Sequence, residues 1–202
     1  ALPSSIGAMG LAKLAKEEAA DGDVPYRKGR GGTNLGRAVH STLQSIDLST
    51  GAGLDEISQA QAAAEGIPNR WKEVVDLVKT AIDSNIVRKA VASGRYFKEV
   101  YVGAPVDSIL LEGFIDLLFQ TSEGLTLVDY KTDGLVTAEE ITRSMDRYRL
   151  QGGAYALALE KATGRPITRV VFLFLHTGTE IVMDDLPAAI RSVEGEVCGL
   201  AN

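Results

Sequence analysis

Asp116, Asp129 and Lys131 are spaced so that their side chains can meet at one end of a β-sheet. The run Leu111–Phe119 is rich in β-branched and aromatic residues, and Leu127–Thr132 is a short apolar run ending in charge. Thr121-Ser122-Glu123-Gly124 between them reads as a turn, so the pattern predicts two hairpin-connected strands. Alternation then puts Leu110, Glu112, Phe114, Asp116 and Leu118 on one side of the first strand, and Leu125, Leu127, Asp129 and Lys131 on one side of the second. Two converging carboxylates suit phosphodiester hydrolysis with a divalent cation, because Mg²⁺ takes one or two carboxylates and fills its other positions with water and substrate phosphate. Lys131 could hold the attacking water or neutralise charge on the phosphate. Taken alone, the pattern reads more often as a strand-end ion pair of Asp129 with Lys131, Asp116 being a strand-terminating cap; such pairs are common and contribute little.

The wider pattern changes that balance. Gly36-Arg37-Ala38-Val39-His40, Gly113-Phe114-Ile115-Asp116, Val128-Asp129-Tyr130-Lys131-Thr132 and Tyr148-Arg149-Leu150-Gln151 with Tyr155 occur in this order. Together they resemble the RecB-type nuclease domain of the PD-(D/E)xK superfamily, from about residue 35 to about residue 175. The resemblance implies an α/β fold, with a central mixed β-sheet flanked by helices in a restriction-endonuclease-like core and an N-terminal helical part. It implies an Mg²⁺- or Mn²⁺-dependent deoxyribonuclease, an exonuclease or endonuclease module of a helicase–nuclease that repairs DNA double-strand breaks and serves recombination. Asp116 and Asp129 would bind the metal with His40 and the Tyr130 carbonyl, and Lys131 would orient and activate the water. Gln151 with Tyr155 would position the strand. The implied partners are DNA, as single-stranded ends, and a helicase domain of the same polypeptide or complex. Two rivals stay open: a nuclease-fold module that guides DNA or scaffolds without cutting, and a stand-alone nuclease of the same fold.

Composition narrows the classes. A chain of 202 residues can bury one sizeable core, and 45% apolar with 24% charged residues is ordinary for a globular domain. No apolar stretch approaches the roughly 18 residues of a membrane span and no basic-then-apolar leader opens the chain, so a cytoplasmic location is expected. The start at Ala1, directly in what reads as a helix, suggests a domain excised from a longer polypeptide. Cys198, the single cysteine, excludes a disulfide framework within the chain and a four-cysteine zinc or iron–sulfur cluster. A net charge of −6 argues against a free-standing nucleic-acid binder, so this chain is expected to hold DNA weakly unless another domain delivers it.

The elements that must position these residues follow from periodicity and caps. Ile6, Met9, Leu11, Leu14 and Ala15 predict an amphipathic helix over 6–19. Tyr26–Gly32 is a basic, glycine-rich loop, a solvated linker first and a phosphate-contacting loop second. Asn34 as N-cap with Leu35, Val39, Leu43 and Ile46 predicts a helix carrying His40 at the edge of its apolar face, with Gly36 one turn earlier allowing a close neighbour. Helices over 55–65 and from Pro68 towards Val91 form an insert with Trp71 in its packing, which divides the chain into an N-terminal helical part, 1–94, and a nuclease core, 95–202, within one structural domain. The sheet begins at 95–102, where Glu99 is either a further acid of the site or a surface charge. Thr137-Ala138-Glu139-Glu140 predicts a capping box opening a helix on which Tyr148, Gln151 and Tyr155 form one stripe. That stripe is either a half-buried face or a strand-binding one, with Gln151 bonding phosphate or water and the tyrosines stacking on bases or sugars. Thr168–Leu175 reads as a buried strand, Thr177-Gly178 as the turn to a hairpin partner, and 186–200 as a closing helix.

Overall fold

The computed structural model describes residues 4–7, 32–135 and 137–200. Six strands, β1 (Ser4–Gly7), β2 (Tyr96–Val106), β3 (Ile109–Thr121), β4 (Gly124–Lys131), β5 (Ile167–Phe174) and β6 (Thr179–Val182), form one mixed sheet. The helices are α1 (Asn34–Ser45), α2 (Leu54–Ala64), α3 (Trp71–Asp83), α4 (Asn85–Ala92), α5 (Ala138–Thr163) and α6 (Leu186–Leu200). β4 and β5 are parallel, which requires a crossover, and α5 supplies it. The predicted capping box closes at its start: Thr137 Oγ1 accepts from the Glu140 N–H at 3.2 Å, and Glu140 accepts from the Thr137 N–H at 3.0 Å.

β3 organises the sheet. β2 pairs antiparallel along nearly its whole length, from Val106↔Ile109 to Tyr96↔Phe119. The opposite edge is shared by β1, parallel on Ile109–Glu112, and β4, antiparallel on Leu117–Thr121. Between them Gly113–Asp116 has no strand partner on that edge, and β4 beyond Val128 pairs only with β5. The sheet therefore forks at Leu117↔Val128, with Asp116 on one prong and Asp129, Tyr130 and Lys131 on the other.

Each face of the sheet has its own core. Ile115, Leu118, Leu127, Val170 and Phe172 pack under α5 and α6, while Leu117, Phe119, Val128, Tyr130 and Leu173 pack under α1 to α4. Ile115 and Leu118 share a core although three residues separate them, so the strict alternation expected of this strand fails at Asp116. The register on either side is continuous, Val100↔Ile115 and Lys98↔Leu117, and the break lies at Glu99, whose φ of 50° is outside strand geometry. Three further expectations shift. Ile6 lies in β1 opposite Leu111 rather than in a helix, because an exposed stretch of β3 edge takes backbone partners without any side-chain periodicity; the rest of the predicted 6–19 helix, and the basic loop up to Gly31, lie outside the described residues. Thr33, not Asn34, caps α1, accepting from the Gly36 N–H at 3.1 Å. The helix expected from Pro68 to Val91 is a 3-10 turn, α3 and α4, broken at Ser84, whose extended backbone lets its hydroxyl cap α4.

Two adjacent glycines let α5 sit close on its neighbours. A Cβ on Gly153 would stand 2.8 Å from the Ala189 carbonyl oxygen of α6. Alanine gains about 1 kcal/mol of helix propensity over glycine, but backbone cannot turn aside, and overpacking costs about 1–3 kcal/mol. Gly153→Ala is accordingly expected to lower Tm by roughly 2–8 °C in a thermal melt. An unchanged or raised Tm contradicts the close approach.

Candidate active site

Asp116 sits at the fork. Its carboxylate accepts a hydrogen bond from His40 Nδ1 at 2.8 Å and another from the Tyr130 backbone N–H at 2.6 Å, so one side chain ties α1 to both prongs. α1 can approach because residue 36 is glycine: a Cβ there would stand 2.7 Å from Thr132 Oγ1, just past the end of β4. Glu99 completes the group. Ligand atoms of His40, Glu99 and Asp116 all lie within 4.8 Å of one another. Glu99 holds a left-handed backbone that costs a non-glycine residue about 1–2 kcal/mol, and this strain falls where its carboxylate joins the other two. Burial opposes a charged imidazole at His40, but the charge and hydrogen bond of Asp116, aided by Asp129 and Glu99, outweigh it and raise its pKa to about 9. Without a metal His40 is thus an imidazolium, which must lose a proton before it can ligate.

Asp129 and Lys131 lie across the fork, both buried, as an ion pair. Lys131 Nζ also donates to Gln151 Oε1 at 2.6 Å and stands over the Tyr148 ring, 4.4 Å from its centre. Gln151 Nε2 donates to the Tyr155 hydroxyl at 3.1 Å and reaches Asp129 Oδ1 at 3.4 Å. Burial raises the Asp129 pKa, Lys131 pulls it back, and Asp116 adds to the rise. Asp129 Oδ2 touches Lys131 but accepts no properly directed hydrogen bond, a buried lone pair of the kind an additional cation satisfies. Hard oxygens, one imidazole and no thiolate fit Mg²⁺ or Mn²⁺.

The expected residues therefore assemble, with two differences. The three-residue group that can surround an ion consists of His40, Asp116 and Glu99, and Asp129 stands next to it, engaged by Lys131. Tyr130 contributes its N–H to Asp116, and its ring packs in the core. The stacking expected of Tyr148 and Tyr155 does not fit, since both rings are buried and Tyr148 packs on Phe172 and Phe174 at 5.7 and 5.6 Å. The hydroxyl of Tyr148 instead bonds Asp133 and receives Arg147 Nη2 at 2.6 Å, a cluster with no signal in the sequence beyond the presence of its residues.

Comparison with known proteins agrees with this geometry. The chain is 29% identical over 186 residues to an ATP-dependent helicase/nuclease of Bacillus cereus (strain B4264), covering 77% of this chain and 14% of that protein. It is 29% identical over 204 residues to the protein of the same name from Desulforudis audaxviator (strain MP104C), covering 85% of this chain and 16% of that protein. The chain thus spans about one seventh of the length of these curated relatives. A crystal structure from Eubacterium rectale, of a protein provisionally assigned as an exonuclease, superposes with a TM-score of 0.55 at 15% identity over 95% of this chain and 71% of that one, which shows the shared fold. Residues 14–197 match the PD-(D/E)XK nuclease superfamily, and with most of the chain so matched the protein belongs to that superfamily.

Proposed function

We propose that this chain is a divalent-metal-dependent deoxyribonuclease module that cuts single-stranded DNA delivered by a helicase, in the processing of double-strand breaks. The observation that carries the reading is the fork, where an ion-sized group of His40, Glu99 and Asp116 stands beside a buried Asp129–Lys131 pair. Helicase delivery is supported by the named relatives and by the net charge of −6, which opposes unaided capture of a polyanion. A cytoplasmic location suits an enzyme of chromosomal DNA, and among the described residues no helix is long and apolar enough to cross a membrane. The division at residues 94 and 95 follows the start of the central strands and makes α1 to α4 the part that presents His40.

Asp116, Glu99 and His40, with Asp129 and the Tyr130 carbonyl, would hold Mg²⁺ or Mn²⁺. When bound, the ion supplies Lewis acidity and positive charge at the scissile phosphate. The Tyr130 N–H fixes the Asp116 carboxylate, so its free lone pairs are aimed before substrate arrives. Lys131 keeps its ammonium close to the reacting phosphorus, where it orients the attacking water and offsets charge that builds on the phosphoryl oxygens. Gln151 fixes Lys131 from α5, and Tyr155 fixes Gln151, so their part is to hold the ammonium rather than to touch bases. Single-stranded DNA incubated with the chain is expected to be cut with Mg²⁺ or Mn²⁺ and left intact with excess chelator. Undiminished cutting in chelator overturns the metal site, and no cutting with any divalent ion favours the guiding or scaffolding module.

A further inference from the structure

Tyr101 of β2 and Phe114 of β3 are direct register partners, with ring centres 5.4 Å apart and planes inclined by 59°. They are 54% and 38% exposed. Ile115 is buried under α5, so Phe114 points to the opposite face, the one on which α1 carries His40. Phe114 is two residues from Asp116 and Tyr101 two residues from Glu99, about 7 Å along each strand. The Tyr101 ring is held in place: it lies over Gly103, where a Cβ would come within 2.8 Å of its hydroxyl oxygen, and that hydroxyl donates to Glu112 Oε2 at 2.9 Å.

We propose that the Tyr101–Phe114 pair is a stacking platform that seats a nucleobase of single-stranded DNA beside the scissile phosphate. The inference rests on the nuclease reading and supplies what buried Tyr148 and Tyr155 cannot, an aromatic surface open to a base. A ring already fixed by Gly103 and Glu112 loses little freedom when a base covers it. The Glu112 carboxylate repels phosphate at the far end of the pair, which turns the sugar–phosphate chain towards the fork. A protein partner fits less well. Two rings flanked by Gly103 and Glu112 fall far short of the roughly 800 Å² per side of a stable interface. Of the other exposed large apolar side chains among the described residues, Phe97 points to the opposite face and Val182 lies on β6 at the other edge of the sheet.

The test is fluorescence anisotropy of the full 202-residue chain in excess chelator, with an oligothymidylate and with an abasic strand of equal length. Tyr101→Ala and Phe114→Ala are each expected to weaken oligothymidylate binding roughly tenfold and to leave abasic-strand binding unchanged, while Tyr101→Phe recovers most of the loss. Equal loss on both strands, or no measurable binding of thymidylate by the unmodified chain, overturns the platform. Unchanged binding by both alanine variants also overturns it and assigns the pair to a protein contact. Cleavage with Mn²⁺ in parallel keeps the two readings apart, since the nuclease assignment fails only if the unmodified chain cuts nothing.

Discussion

Lys131→Met is expected to lower single-strand cleavage about 10²–10³-fold, the effect of removing one preorganised charge from a reacting oxyanion. Methionine keeps the packing on Tyr148 and Phe172 that the lysine stem has, so the loss is of charge and not of volume. Asp129→Asn should lose as much, because it removes a carboxylate from the cation site and leaves Lys131 with a neutral neighbour. Stability distinguishes the two readings of this pair. Removing one partner of a buried ion pair costs about 3–5 kcal/mol, whereas replacing both is often near neutral. Asp129 softens the cost in Lys131→Met, because burial already favours its protonated form. The double variant Asp129→Asn with Lys131→Met should therefore regain Tm over Lys131→Met and recover no cleavage. Near-normal cutting by Lys131→Met, with the fold verified by circular dichroism, returns the pair to a purely structural role.

Much of this site is legible in the sequence because short-range rules fix it. The hairpin from 111 to 131 needs only a turn and two apolar runs, and the capping box at Thr137 sets the start of α5 and so the stripe of Gln151 and Tyr155. Glu99 is harder. Its place opposite Asp116 follows by counting back from the tight turn at Asp107 and Ser108, where Val106 pairs with Ile109, but alternation alone gives no sign of the positive φ that turns it. The split of Ile115 and Leu117 between different cores is hidden for the same reason, since periodicity presumes an unbroken pleat. β1 is hidden for another: four residues paired to an edge carry almost no pattern, and their backbone groups, not their side chains, determine the pairing. The buried state of Tyr148 and Tyr155 depends on how far β5 rises under α5, with Phe172 and Phe174 meeting Tyr148, which a stripe on a helical wheel does not contain.

Which carboxylates hold the cation is decided by heating the chain with Mn²⁺ and no DNA. An ion at 100 times its Kd stabilises the folded state by about 2.7 kcal/mol, and a chain of this length gains about 2–4 °C per kcal/mol, so Tm should rise by roughly 5–11 °C. Asp116→Asn is expected to abolish that rise. The substituted amide retains an oxygen for the Tyr130 N–H, while its nitrogen faces His40 Nδ1, which then accepts as a neutral imidazole; the fold survives and the charge that attracts the ion is gone. Glu99→Gln should leave the metal-free Tm nearly unchanged, since Gln and Glu bear the same left-handed backbone, and should move the half-maximal Mn²⁺ concentration up at least about tenfold as one anionic ligand is lost. Asp129→Asn should have the smaller effect on the thermal shift, because Lys131 already engages that carboxylate before any ion arrives. The reverse order, with Glu99→Gln binding like the unmodified chain and Asp129→Asn losing the shift, makes Asp116 and Asp129 the ligand pair and Glu99 a surface charge. A full shift in Asp116→Asn removes the fork as the cation site altogether.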